Sequence, residues 1–113
     1  MINKVIELNL EYGSPTVDSA LNNMKNSLAT YKRQGCKAVI VIHGYGSTGV
    51  GGAIKPAVTR CLSKNTMCGI VRAFVAGENW FYRKKEMLSI CKDLANYERR
   101  ISGNDGVTVV ILK

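Results

Sequence analysis

Residues 38–49 read AVIVIHGYGSTG, an apolar run that is followed at once by glycines and hydroxyl side chains. The run Ala38–Ile42 is uncharged and rich in β-branched residues, which is typical of a strand covered on both faces of a sheet. Glycines directly after such a strand let the backbone approach a ligand closely. The stretch therefore predicts a central strand that ends in a ligand-binding turn, with a glycine-rich loop over residues 44–52.

The segments before this strand predict one further strand and one helix. Residues 5–10 alternate imperfectly between apolar and polar side chains, which favours a first strand. Ser14 and Pro15 form a good start for a helix, and apolar residues then recur every three or four positions. Gly35 follows at the place where a helix commonly ends. We therefore expect a helix from about residue 14 to residue 34.

The segments after the loop predict two helices and two strands. Because proline is tolerated in the first turn of a helix, Pro56 predicts that the second helix begins near Gly52 or Ala53. Residues 69–76 predict a third strand, and Asn79 is expected to cap a third helix that runs to about residue 100. A glycine turn over residues 103–106 leads to a final strand, Val107–Leu112. The order β-α-β-α-β-α-β describes a compact α/β domain.

Length and composition exclude several classes of protein. The 113 residues are enough for about one domain, and 46% apolar residues exclude general disorder. Apolar runs such as Ala38–Ile42 are far shorter than the ~20 residues of a membrane span, and no signal peptide is recognised at the N-terminus. We therefore expect a cytoplasmic protein without a membrane partner.

The charge and the cysteines point to possible partners. Sixteen Lys and Arg against eight Asp and Glu give a formal net charge of +8, which favours nucleic acid or ribosomal partners over acidic proteins. A basic surface that only keeps the protein in solution is the alternative. The four cysteines lack the close pairing of a zinc site, and His43 is the sole histidine, so we expect reduced thiols and no structural metal.

The glycine loop itself has several interpretations. Gly44, Gly46 and Gly49 have the spacing of a dinucleotide-binding fingerprint, but the strand before them is the second one and no acidic residue follows about 20 positions on. No Gly-Lys-Ser/Thr sequence follows either, which excludes a P-loop. Free backbone N–H groups at the start of a helix still favour an anion, most simply a phosphate. Three side chains would assist such a phosphate site: Ser47, Thr48 and Lys55.

Residues 42–49 also resemble the His-Gly-x-Gly-x-Gly turn of the Smr domains, the small MutS-related nuclease-like domains. Residues 17–21 resemble the start of a helix in that family, and residues 103–112 resemble its closing glycine turn and strand. The resemblance covers nearly the whole chain. It implies a two-layer α/β sandwich with a four-stranded mixed sheet, similar to the C-terminal domain of translation initiation factor three. It also implies binding of DNA or RNA, with nicking or endonuclease activity in several members.

The first motif of the family, Leu-Asp-x-His-Gly or Leu-Asp-Leu-Arg-Gly, falls on residues 8–13. Asn9 stands there in place of aspartate, and Glu11 stands in place of histidine or arginine. Asparagine has no charge with which to hold a metal or accept a proton, and glutamate repels phosphate. We therefore predict that binding dominates, with phosphodiester cleavage through His43 and Glu11 as the further activity. Mg²⁺ or Mn²⁺ is the cofactor expected of a cleaving protein.

Relative to shorter members of the family, residues 78–102 read as a helical insertion in the single domain 1–113. After Asn79 the insertion reads WFYRKKE, so that three aromatic residues are followed at once by Arg83, Lys84 and Lys85. Rings that stack on bases beside cations that neutralise phosphates are typical of single-strand binding. Burial of Trp80 and Tyr82 in the core is the alternative. At the level of the whole protein, the alternative to nucleic-acid binding is a non-catalytic module that docks on a ribosome or a partner protein.

Overall fold

The computed structural model describes residues 4–11, 16–44 and 50–113 of the chain. The elements occur in the order β1 (Val5–Asn9), α1 (Val17–Arg33), β2 (Ala38–Ile42), α2 (Val50–Leu62), β3 (Val71–Ala76), α3 (Trp80–Ile90), α4 (Glu98–Ile101) and β4 (Val107–Leu112). Short 3-10 helices cover Asn65–Met67, Gly77–Asn79 and Lys92–Tyr97. The predicted alternation of strands and helices is confirmed.

The four strands form one mixed sheet in the order β1-β2-β4-β3. β1 pairs with β2 in parallel, whereas β4 runs antiparallel to both of its neighbours. The carboxyl ends of β1, β2 and β3 and the amino end of β4 therefore meet at one edge of the sheet, which we call the upper edge. The opposite ends of the four strands form the lower edge.

Helices cover both faces of the sheet. Alternate residues of β2 and β4 belong to two separate apolar clusters, with Val39 and Val110 in one and Ile40 and Val109 in the other. The first cluster includes side chains of α1 and α2, and the second includes those of the segment that follows β3. The expectation that β2 is covered on both faces is confirmed. Residues 77–106 thus add a helical layer to the two-layer arrangement of α1 and α2 on the sheet.

Helix α1 ends as predicted but has a different cap at its start. Thr16 is the N-cap, and its side-chain oxygen accepts a hydrogen bond from the Ser19 amide at 3.1 Å. Ser14 and Pro15, the predicted start, lie outside the described residues. At the other end Gly35 has a φ of +87°, and the amides of Gly35 and Cys36 donate back to carbonyls of the last turn. This pattern is a Schellman motif, which requires a left-handed residue at that position.

The prediction that α2 begins near Gly52 or Ala53 is wrong, because the helix begins at Val50 and contains Pro56 in its interior. Proline removes one backbone hydrogen bond there. The exposed ring of Pro56 lies away from the core, while Ile54 and Val58 on the opposite side are buried. Burial of this apolar face outweighs the local preference of proline.

The predicted single third helix is also wrong, since the chain breaks at Cys91, which has an extended backbone. An unbroken helix over residues 80–101 would be about 33 Å long, whereas a six-residue strand spans about 20 Å. The break keeps Trp80, Leu94 and Ile101 buried against the sheet. Asn79 stands at the start of α3, as predicted, but its side chain makes no capping hydrogen bond.

The four cysteines are free thiols, of which Cys68 is exposed and the other three are buried. Among the described residues, no helix combines the length and the apolarity that are needed to cross a bilayer.

Two glycines that differ in their surroundings test the packing of the added layer. A Cβ at Gly77 would overlap the Asn104 carbonyl and lie 2.7 Å from the Ile101 carbonyl oxygen, whereas a Cβ at Gly69 would meet no atom within 4 Å. We expect Gly77→Ala to lower the free energy of unfolding by about 2 kcal/mol, a typical cost of overpacking. Gly69→Ala should change it by less than about 0.5 kcal/mol. Urea denaturation measures both, and equal values for the two variants would contradict the packing described.

Candidate functional site

The upper edge of the sheet gathers the predicted catalytic residues. Glu11 follows β1, His43 follows β2, and Glu78 follows β3. Thr108 lies near the amino end of β4, which runs in the opposite direction. The mixed topology therefore brings together side chains that are up to 97 positions apart in the sequence.

His43 is fully buried, and both of its ring nitrogens are hydrogen-bonded. Nδ1 lies 3.1 Å from the Gly44 carbonyl oxygen, and Nε2 lies 2.9 Å from the Thr108 hydroxyl oxygen. A carbonyl oxygen can only accept, so Nδ1 carries the proton and Nε2 accepts from the hydroxyl of Thr108. Both nitrogens of the neutral ring are occupied within the protein, which makes His43 a positioning residue for the strand ends.

The backbone at His43 joins the two glycine turns that the sequence presents separately. The amides of His43 and Gly44 both donate to the Gly106 carbonyl oxygen, each at 3.0 Å. The Gly106 amide in turn donates to the Asn104 side-chain oxygen at 2.9 Å, which closes the turn before β4. The Gly44 amide, predicted as a phosphate donor, is therefore occupied by a backbone carbonyl.

The surroundings of His43 favour its neutral form. Burial lowers the pKa of His43 below its ordinary value of 6.5, and the hydrogen bond to the Gly44 carbonyl opposes that shift. The positive charge of Lys55 lowers the pKa further, while the negative charges of Glu11 and Glu78 raise it. Since burial is the largest of these effects, the imidazole stays neutral near pH 7.

Glu11 lies directly over the backbone of Gly44. A Cβ on Gly44 would overlap the carboxylate at the end of the exposed Glu11 side chain. Gly44 also has a φ of +80°, a backbone conformation that favours glycine. The Glu11 amide donates to the Asn9 side-chain oxygen at 2.8 Å, which fixes the turn of the chain after β1. The structure thus places Glu11 beside the His43 turn, as predicted, and gives Asn9 a role in holding it.

Lys55 lies in the second turn of α2, not in the first turn as predicted, because the helix begins earlier. It forms an ion pair with Glu78 at the carboxyl end of β3. This pair joins α2 to the segment after β3 across the upper edge, and it partly neutralises the positive charge predicted to attract a phosphate. Gly46, Ser47, Thr48 and Gly49, the other residues of the predicted phosphate site, lie outside the described residues.

Comparison with known proteins agrees with this arrangement of strands and turns. The family model for the Smr domain matches residues 13–113. The chain belongs to the Smr domain family. A solved structure, the crystal structure of the Smr domain of Thermus thermophilus MutS2, is similar in fold, with a TM-score of 0.57 and 22% sequence identity. The match covers 97% of this chain and 98% of that one. Comparison with curated proteins finds no match.

The basic and aromatic segment of this Smr domain lies on α3. Trp80 is fully buried, as the alternative of burial in the core predicted. Tyr82 is exposed, so that alternative is wrong for this residue. Arg83 donates to the Phe74 carbonyl oxygen at 2.8 Å and pairs with Glu86 at 2.7 Å. Because Phe74 belongs to β3, its bond with Arg83 joins α3 to this edge strand.

The two lysines of α3 differ in their environment. Lys84 pairs with Glu98 at the start of α4, and this contact lowers the pKa of the Glu98 carboxyl. Lys85 is exposed and forms no ion pair with any other described residue. Two of the three predicted phosphate-binding cations thus also hold the added helical layer in place.

Sequence reasoning did not single out Thr108 as a residue of the site. Thr108 lies within an apolar run that forms a buried strand. A hydroxyl group in such a strand needs a hydrogen-bond partner, and this was the signal in the sequence that a second buried polar side chain lies nearby. Glu78 is one of eight acidic residues in the sequence, and its pairing with Lys55 depends on the position of β3 in the sheet. Among the described residues, no three His, Cys, Asp or Glu side chains converge as a metal site would require.

The buried neutral imidazole makes a prediction about pH. Because the pKa of His43 is lower in the folded protein than in the unfolded chain, the unfolded chain binds more protons in the window below pH 6.5. Stability is complete above that window and is lost as the pH falls through it, by at most about 1.4 kcal/mol per pH unit. Urea denaturation between pH 7.5 and pH 5.5 should show this loss in the wild type. His43→Gln, which removes the sole histidine, should flatten the dependence, and an unchanged slope would contradict the assignment.

Proposed function

We propose that this Smr domain binds nucleic acid, and that it holds unpaired bases on two aromatic side chains in the first turn of α3. The observation that carries this proposal is the exposure of Phe81 and Tyr82, of which 79% and 82% is accessible to solvent. They are the large hydrophobic side chains that remain exposed in the described part of the chain. Exposed aromatic rings next to cations are typical of protein surfaces that stack bases without sequence preference.

The geometry of the two rings suits stacking. Their centroids are 5.9 Å apart and their planes are at 86°, a T-shaped contact in which one ring presents its edge to the other. Since both rings are about four-fifths exposed, their remaining faces stay open to a base. The neighbouring Trp80 is buried in the core and anchors the turn that carries them.

The aromatic turn is connected to the upper edge of the sheet. α3 follows β3, whose carboxyl end lies at that edge. A groove of about 220 Å³ runs from Arg83 and Asn79 on the α3 side to Thr59 of α2, and Thr108 lies at its base. A strand stacked on Phe81 and Tyr82 can therefore extend toward the turn that His43 and Thr108 hold.

Removal of the rings tests the proposal. We expect Phe81→Ala and Tyr82→Ala each to weaken binding of a fluorescein-labelled oligothymidylate by about fivefold or more, because stacking on one aromatic ring contributes roughly 1–3 kcal/mol. The ring-preserving exchange of Phe81→Tyr with Tyr82→Phe is the matched control and should keep the wild-type affinity. Fluorescence anisotropy measures the dissociation constants.

Salt dependence separates nucleic-acid binding from the alternative of a partner-protein contact. Affinity for the oligonucleotide should fall steeply with salt, since each phosphate contact releases counterions.

Wild-type affinity in both alanine variants would show that the rings do not stack bases and would overturn the proposal.

Phosphodiester cleavage is the second candidate function, and the contact between Glu11 and the His43 turn is the observation that favours it. The occupied nitrogens of His43 and the exchange of the family aspartate for Asn9 favour binding over cleavage. A catalytic role for His43 or Glu11 and a cytoplasmic location both stay predictions.

The degenerate first motif can be tested directly. We expect the wild type to leave labelled RNA and DNA uncut in Mg²⁺, Mn²⁺ or EDTA, and the double variant Asn9→Asp with Glu11→His to gain cleavage, because it regains a carboxylate and an imidazole. The exposed position of Glu11 should allow the exchange without loss of fold, which circular dichroism checks. Robust cleavage by the wild type that is lost in His43→Ala and persists in EDTA would show that His43 itself does the chemistry.

A further inference from the structure

The lower edge of the sheet carries a row of cations, one from each strand. Lys4 precedes β1, Lys37 precedes β2, Lys113 follows β4, and Arg72 lies in β3. Backbone bonds show that these ends are neighbours: the Lys37 amide donates to the Lys4 carbonyl, and the Lys113 amide donates to the carbonyl just before β3, both at 2.9 Å. With strands about 4.8 Å apart, the four residues span about 14 Å.

Two adjoining grooves extend this row toward the helices. One, of about 250 Å³, is lined by Lys37, Arg72 and Lys113 together with Lys32 from the last turn of α1. The other, of about 440 Å³, also contains Lys37 and reaches Lys4 and Lys92. Because Lys37 lines both grooves, they form one continuous surface, which we call the basic rim. Its six cations are Lys4, Lys32, Lys37, Arg72, Lys92 and Lys113.

The charge of the basic rim is not compensated within the described chain. None of its six cations forms an ion pair with another described residue. Five of the six are exposed to solvent, and Lys32 is half-buried. Asp93 is the carboxylate that lines these grooves. At the upper edge, by contrast, Glu11 and Glu78 follow strand ends and Asp105 lies in the turn before β4. Unpaired cations therefore occupy the strand ends at the edge opposite the His43 turn.

We propose that the basic rim is a second nucleic-acid-binding surface, which holds a sugar–phosphate backbone by charge. A row of unpaired cations on neighbouring strand ends, set in a concave surface, suits the repeated charge of a phosphodiester chain. An anionic membrane fits less well, because peripheral membrane surfaces combine cations with apolar side chains that insert. The exposed apolar pair Phe81 and Tyr82 lies at the start of α3, which follows the upper end of β3.

The cations of the rim are not explained by helix stability alone. Lys32 lies in the last turn of α1, where it interacts favourably with the helix dipole. Lys4, Lys37, Lys113 and Arg72 lie at or near strand ends and have no such role. The inference rests on the proposed function in one respect, that the ligand of both surfaces is a nucleic acid.

Neutralisation of the rim gives the test. Lys37→Gln with Arg72→Gln removes two exposed cations of the basic rim. Lys37 lines both grooves of the rim, and Arg72 lines the smaller one. We expect weaker binding of labelled oligothymidylate and a slope of log affinity against log salt that is smaller by about 1.4, since each single-strand phosphate contact contributes about 0.7. The loss relative to wild type should therefore shrink about sevenfold between roughly 50 mM and 200 mM salt.

The matched control is Lys25→Gln with Arg99→Gln, which removes one lysine and one arginine that are also exposed but lie on α1 and α4. It lowers the net charge equally and should keep most of the affinity and the wild-type slope. Lys4→Gln with Lys92→Gln is a second rim variant and should reproduce the effect of the first. Thermal unfolding confirms that each variant is folded.

The outcomes separate this inference from the proposed function. Wild-type affinity and slope in both rim variants, with loss of binding in Phe81→Ala, would overturn the rim and leave the aromatic surface standing. Loss in the rim variants with no loss in Phe81→Ala and Tyr82→Ala would support the rim and overturn the aromatic surface. Binding to phosphatidylserine vesicles that is lost in the rim variants, while oligonucleotide binding is kept, would assign the rim to a membrane and overturn the inference.

Discussion

The fold depends on the burial of β2 and β4 on both faces of the sheet. Every residue of β4 is buried, and four of the five residues of β2 are buried. A strand in that position has no face on which a charged side chain can reach water. Polar chemistry in this domain is therefore restricted to the two edges where strands end and to the outer surfaces of the helices.

At the upper edge, this restriction leaves a pair of buried polar side chains that support the strand ends. His43 and Thr108 are the buried polar side chains of the described core, and they satisfy each other. An unpaired polar group at that depth would cost about 1–3 kcal/mol, so the pair is maintained by the same burial that forms the sheet. Their bond, with the two amides that share the Gly106 carbonyl, fixes the direction in which the chain leaves β2.

Charge is distributed over the domain in a way that the total of +8 does not reveal. The four ion pairs of the described residues involve Lys55, Arg83, Lys84 and Arg100. They join α2 to the segment after β3, α3 to α4, and α4 to β1, while the Arg83 pair lies within α3. Partly exposed pairs of this kind contribute little to stability individually. Their consequence is electrostatic, because they use carboxylates near those cations and leave the basic rim uncompensated.

Several elements were predictable from local sequence. β2 and β4 follow from short β-branched runs, the end of α1 follows from Gly35, and the order of the elements follows from the turns between them. The resemblance of residues 42–49 and 103–112 to the Smr family was also visible, and the family model and the fold confirm it. These features depend on residues that are close in the sequence, where the backbone preferences of glycine and the period of apolar residues act directly.

The sequence by itself thus determined the element order, the central strands, the family and the net charge of this protein. The tertiary structure alone decided which groups meet: Thr108 with His43, Glu78 with Lys55, and four strand ends in one row of cations. It also decided that α2 includes Pro56 and that the helix after β3 breaks at Cys91. The physical reason is that these outcomes follow from burial against a shared sheet, and burial is a property of the assembled strands and helices that no local pattern contains.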